Sequence, residues 1–155
     1  MISQTAEYCL RAIVFLAGAE QRARTTHQIA DATKIPVGYL SKVLLALGRA
    51  GLVSAQRGIN GGFLLACDPA TLSLLDVVRI ADTSHRITTC PLGIHGKELC
   101  SLHRQLDEVA AFVEETLASR TIAQLMATPD VIPVHSASHT RCACSAGSGA
   151  VACLK

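Results

Sequence analysis

The chain has 155 residues, half of them hydrophobic but only 3% aromatic, with no Trp, seven Cys and a net charge of +2. That suits one domain with appendages around a helical core of Leu, Ile, Val and Ala. No run reaches the roughly 18 apolar residues of a membrane span, and Met1 to Glu7 lacks the basic and apolar regions of a signal peptide, so the expected protein is soluble, cytoplasmic and without a membrane partner.

In chain order, residues 4–19 read as a helix, with Ala6, Leu10, Ile13, Val14 and Ala17 at helical spacing. A polar connection, Gln21 to Arg24, leads to a second helix capped by Thr25 or Thr26 and running to about Thr33. Pro36 breaks that pattern and can occupy the first turn of a third helix, Val37 to about Ala50, with Leu40, Val43, Leu44 and Leu47 on one face and Gly51 as its terminal glycine. Leu52 to Gln56 and Phe63 to Ala66 read as two strands around the turn Arg57 to Gly62. Ser73 caps a helix from Leu74 to Ala81, with Asp76 inside the cap region. Residues 83–99 are irregular. A long helix, Ser101 to Ser119, carries Leu102, Leu106, Val109, Phe112, Val113 and Leu117 as an apolar stripe, and a short one capped at Thr121 covers Ile122 to Met126. The composition predicts disorder for residues 128–155.

This order of helices followed by a hairpin is that of a winged helix-turn-helix, mainly α with a small β wing, over residues 1–66. The segment is basic, with seven Arg and Lys against three acids, whereas residues 67–127 carry five against eight. A basic front on an acidic body points to a polyanion, double-stranded DNA. The third helix offers Tyr39, Ser41 and Lys42 to phosphates and base edges, with Thr26 beside them on the second helix, and Gly38 permits close backbone approach. The alternative is that Tyr39 packs and Lys42 is merely solvated. The wing is more specific: Arg57 on a slim glycine-rich arm suits the negative potential of the minor groove, where Gln56 and Asn60 add hydrogen bonds. One such module reads few base pairs, so a homodimer on palindromic half-sites is expected. The stripe on the long helix serves either as the dimer seam or as ordinary core.

Cytoplasmic cysteines favour metal or redox chemistry over a disulfide framework. Cys90, His95, Cys100 and His103 lie within fourteen residues in a loop leading into the long helix, and Cys100 and His103 share a face once the helix has begun. Thiolate and imidazole suit zinc or an iron–sulfur cluster, although no CxxC pair is present. Cys9 and Cys67 read as packed small hydrophobes.

The layout resembles the iron–sulfur-sensing winged-helix regulators, the IscR/NsrR/RirA-like family, over about residues 1–127. The resemblance is carried by Glu7-Tyr8-Cys9-Leu10-Arg11-Ala12, Gly38-Tyr39-Leu40, Ala50-Gly51-Leu52-Val53, the wing Arg57-Gly58-x-x-Gly61-Gly62, and Leu74-Leu75-Asp76-Val77-Val78. It implies a homodimeric repressor or activator with one cluster per subunit, bound in the region 67–127. Cys90 and Cys100 match the first and last of the family's three cysteines, His103 the histidine three residues after the last. Glu7 matches an acidic ligand that some members supply from the partner subunit. The middle thiol is missing here, and His95 lies in its interval. The resemblance together with this departure implies a ligand set of Cys90, Cys100, His103 and the other chain's Glu7, and a 2Fe-2S cluster rather than 4Fe-4S.

His135, His139, Cys142, Cys144 and Cys153 read either as a metal-binding tract or as a frayed tail. Two alternatives stand beside the cluster-sensing regulator. One is a cluster-free winged-helix regulator sensing thiol oxidation or a small ligand. The other is a small redox enzyme, which lacks a nucleophile–base pair or phosphate loop and leaves the wing unexplained.

Overall fold

The computed structural model describes residues 2–83, 86–93 and 98–128. His95 and the tail residues His135, His139, Cys142, Cys144 and Cys153 lie outside the described residues. The order is α1 (Gln4–Ala17), α2 (Thr26–Thr33), α3 (Val37–Arg49), β1 (Val53–Gln56), β2 (Gly62–Leu65), α4 (Leu74–Ala81), α5 (Ser101–Ala118) and α6 (Ile122–Met126).

Helix α1 is the hub. Cys9, Ala12, Ile13 and Leu16 are buried on it against Ile29 of α2, Leu40, Val43, Leu44 and Leu47 of α3, Val77 of α4 and Ile122 of α6. Each fully buried aliphatic side chain contributes about 1.5–3 kcal/mol. The core therefore runs across residue 66 and draws on both halves of residues 1–127. Helix α6 is tied to the start of α4 by Leu74 N–H to Arg120 O and Ile122 N–H to Leu72 O, both 2.9 Å.

Local chemistry sets the boundaries. Helix α1 stops at Ala17 rather than 19, because Gly18 caps it and Glu20 and Gln21 then turn the chain with positive φ. Pro36 stands just outside α3 as its N-cap, its carbonyl accepting from Tyr39 and Leu40 at 2.9 Å, instead of inside the first turn. Gly51, at φ +75°, closes α3: its N–H reaches Gly48 O and that of Leu52 reaches Leu47 O, both 3.0 Å. This double bond pattern requires a left-handed residue, which glycine supplies without strain. Helix α5 begins one residue after its N-cap, Cys100, and ends at Ala118.

The two strands pair antiparallel, Val53 with Leu65 through Gln56 with Gly62. Arg24 joins as a third edge, exchanging two 2.8 Å backbone bonds with Phe63. No described helix is long and apolar enough to cross a membrane.

Candidate nucleic-acid interface and thiolate–imidazole centre

Helix α3 buries Leu40, Val43, Leu44 and Leu47, which leaves Ser41 and Lys42 exposed on its other side. Ser41 Oγ donates to Val37 O at 3.3 Å, within its own helix. Tyr39 does pack in part: its ring meets Tyr8 edge-on with centroids 5.4 Å apart, and its hydroxyl lies 2.5 Å from that of Thr5. The phenol thus bridges the start of α3 to the first turns of α1 while its residue stays partly exposed. Among the described residues, no atom beyond its chain neighbours and its own helix backbone lies within 4 Å of a Cβ placed on Gly38. Thr25 caps α2 in a reciprocal box with Gln28, which leaves Thr26 half-buried in the first turn.

In the wing, Gln56, Arg57 and Asn60 are all exposed. Glycines shape the arm. A Cβ on Gly61 would lie 2.6 Å from Gln56 O, and one on Gly62 only 2.5 Å from Arg24 O. Two features escaped the sequence reading. Ile59 stands fully exposed at the tip. Arg24, assigned to a polar connection, pins the base of the hairpin through a long-range pairing that no local pattern signals, and its buried Nε finds no hydrogen-bond partner among the described residues.

The second site forms where the chain from α4 meets α5. Cys90, Cys100 and His103 offer ligand atoms that all lie within 4.8 Å of one another. His103 Nδ1 is 3.5 Å from Cys90 Sγ and 3.1 Å from Cys100 Sγ. Cys90 is buried and the other two half-buried. The Cys90 thiol is drawn below its usual range, first by the backbone N–H of Leu92 and further by the N–H groups of Cys100 and Gly93 and the Cys100 side chain, against the opposing effect of burial. Donors of this kind favour the thiolate, the form that binds metal. Cys100 stands at the N-terminus of α5 as its N-cap.

Glu7 is not in this group within its own chain. It is exposed and ion-paired with Arg11, whose guanidinium also reaches Thr33 O at 3.4 Å and lies 5.8 Å from the centre of the Tyr8 ring. Cys9 is fully buried, and burial, with the charge of Asp82 adding, pushes its thiol up to about 11. It packs as a small hydrophobe. Cys67 is half-buried, its thiol likewise raised, mainly by burial.

Residues 2–128 match the family model of Rrf2, an iron-dependent transcriptional regulator. The chain belongs to the Rrf2 family. Among its relatives, NsrR of Geobacillus kaustophilus is 32% identical over 126 residues, covering 77% of this chain and 85% of that one. IscR of Salmonella agona is 29% identical over 124 residues, covering 79% and 76%. Solved structures share the fold: IscR of T. potens at a TM-score of 0.69 and 24% identity, over 81% of this chain and 85% of that one, and CymR, the global cysteine regulator of B. subtilis, at 0.68 and 24%, over 81% and 95%. This Rrf2 protein is a winged-helix DNA-binding transcriptional regulator, and its relatives are regulators rather than enzymes.

Proposed function

We propose that this Rrf2 protein is a homodimeric repressor whose affinity for a palindromic operator is controlled by an iron–sulfur cluster held at Cys90, Cys100 and His103. The observation that carries the reading is the convergence of these three donors at the head of α5. Their chemistry fits such a group: soft thiolates and an imidazole are iron–sulfur ligands, and Cys90 is already biased toward its thiolate. Three donors leave a fourth place, for which Glu7 of the partner's α1 is the candidate and His95 the reserve. With only two thiolates, a 2Fe-2S cluster is favoured over 4Fe-4S. When bound, the cluster supplies sensitivity to redox state, nitric oxide or iron supply.

The remaining roles fall to the chain's own elements. Residues 1–66 read DNA: Thr26, Tyr39, Ser41 and Lys42 face the major groove and its phosphates, while Gln56, Arg57 and Asn60 enter the minor groove. Residues 67–127 hold the centre and the dimer seam. No residue of α5 is buried in its own chain, and Phe112 is 70% exposed and Val109 63%. A row of this kind is covered when a second copy presents the same row, an isologous contact that sets two recognition helices about 34 Å apart.

The test is anaerobic purification with iron and acid-labile sulfide counted per chain. Coloured protein holding both, bleached in Cys100→Ala but not in Cys142→Ala, is expected. Protein that stays iron-free after reconstitution would sink the cluster and leave the regulator responding to oxidation of Cys90 and Cys100.

A further inference from the structure

Cys100 and His103 sit one turn apart on the same helix, so α5 itself brings them together. Cys90 arrives by a different route, along the segment that follows α4, and something must hold that segment against α5. Asp107 does so, one turn beyond His103. Its Oδ1 accepts from Arg86 Nε at 2.7 Å and its Oδ2 from Arg86 Nη2 at 2.8 Å. Oδ1 also accepts the backbone N–H of Ile87 at 2.8 Å. The paired fork is the strong, orientation-specific form of an Arg–carboxylate contact, and the third bond fastens main chain three residues before Cys90. The carboxylate is half-buried rather than freely solvated.

Resting on the metal-centre reading above, we propose that Asp107 is a positioning residue for that centre: by clamping Arg86 and Ile87 onto α5 it holds the Cys90 thiol against the Cys100–His103 pair. Asp107 touches neither thiol nor imidazole by any observed bond. It acts through the backbone, as groups behind the ligands of metal sites do, and their loss typically weakens metal binding by about 10–100-fold.

The experiment titrates the reduced full-length chain with Co²⁺ alone. Thiolate-to-cobalt charge transfer reports how many sulfurs bind, a readout that a merely structural role would not move. Wild-type protein is expected to show the absorption of two thiolates. Asp107→Ala should bind cobalt about 10–100-fold more weakly, with intensity per bound ion falling toward that of Cys90→Ala while helical circular dichroism is kept. Arg86→Gln retains the bond between Ile87 and Asp107 and leaves α5 unchanged in sequence. It should fall between the two, and it carries the test if the Asp107 variant fails to fold. Cobalt affinity within twofold of wild type and full two-thiolate absorption in the variants would overturn the positioning role. Wild-type protein with no thiolate–cobalt absorption would instead remove the centre itself, and the role with it.

Discussion

At α2, α4 and α6 the N-cap and the third helical residue form reciprocal capping boxes: Thr25 with Gln28, Ser73 with Asp76, Thr121 with Gln124. At α5 the same two positions hold Cys100 and His103, and Cys100 makes no side-chain cap bond. The helix start has been given a thiol and an imidazole where Ser and Glu would be worth about 1 kcal/mol. The double variant Cys100→Ser, His103→Glu should therefore raise the urea midpoint of metal-free protein, by about 1 kcal/mol of stability, while abolishing metal uptake. A lower midpoint would mean that the pair stabilises the metal-free fold in its own right. Asp107 carries a separate signature. Arg86 first, and the N–H of Ile87 second, hold its carboxyl down at about 2 from an ordinary 3.8. A depressed carboxyl stabilises the fold above its unfolded value, and that contribution is lost as pH falls from about 4 toward 2. Asp107→Asn should flatten that stretch of the acid-unfolding curve, with little change near pH 7 in its slope.

The tip of the wing and α5 lie outside the common core, while Val53, Phe63 and Leu65 tie the base of the wing to it. Backbone approach also holds the base of the wing, where Arg24 and Phe63 exchange two bonds. A Cβ on Gly62 would press on the Arg24 carbonyl at 2.5 Å, a contact with backbone that no rotamer relieves. Gly62→Ala should detach Arg24 from Phe63 and weaken operator binding, with a folding cost of about 1–3 kcal/mol. Unchanged affinity would mean that the wing needs no fixed base. For α5 the expectation concerns mass. Phe112→Glu should convert a dimer to a monomer in analytical ultracentrifugation, because it puts a charge in the middle of an otherwise apolar row. If the variant kept the wild-type mass, the seam would lie elsewhere. These elements also mark how far the sequence carried. Periodicity and capping residues located the six helices and the hairpin of the described residues to within a residue or two. The stripe on α5 could not be assigned to seam or core by pattern alone, since both demand the same spacing. Its exposure in the folded chain speaks against ordinary core and underlies the proposed seam.

At the scale of the whole molecule, the proposed ligation by Glu7 would make α1 the link between the two sites. The sequence placed Cys90, Cys100 and His103 near one another because they are close along the chain. It could not place Asp107, Arg24 or the tie between Thr5 and Tyr39, which depend on pairings across 20 to 39 residues. That last tie bears on regulation. Glu7, proposed to reach the partner's centre, shares its helical turns with Thr5 and Tyr8, which hold Tyr39 at the head of α3. On that proposal, a change in what Glu7 binds would act on the first turns of α1 and through Thr5 and Tyr8 on α3. Coupling between two such sites typically amounts to 1–3 kcal/mol, or about 5–150-fold in affinity. Operator binding by cluster-loaded and cluster-free protein, measured at one fixed salt concentration, should differ by a factor in that range. Thr5→Val removes the hydroxyl bond to Tyr39 and leaves every proposed ligand in place. It should shrink the ratio of the two affinities while cluster content stays the same. If both affinities fell together and their ratio held, the Thr5–Tyr39 contact would be local support for the recognition helix, and the signal would have to cross through the dimer seam instead.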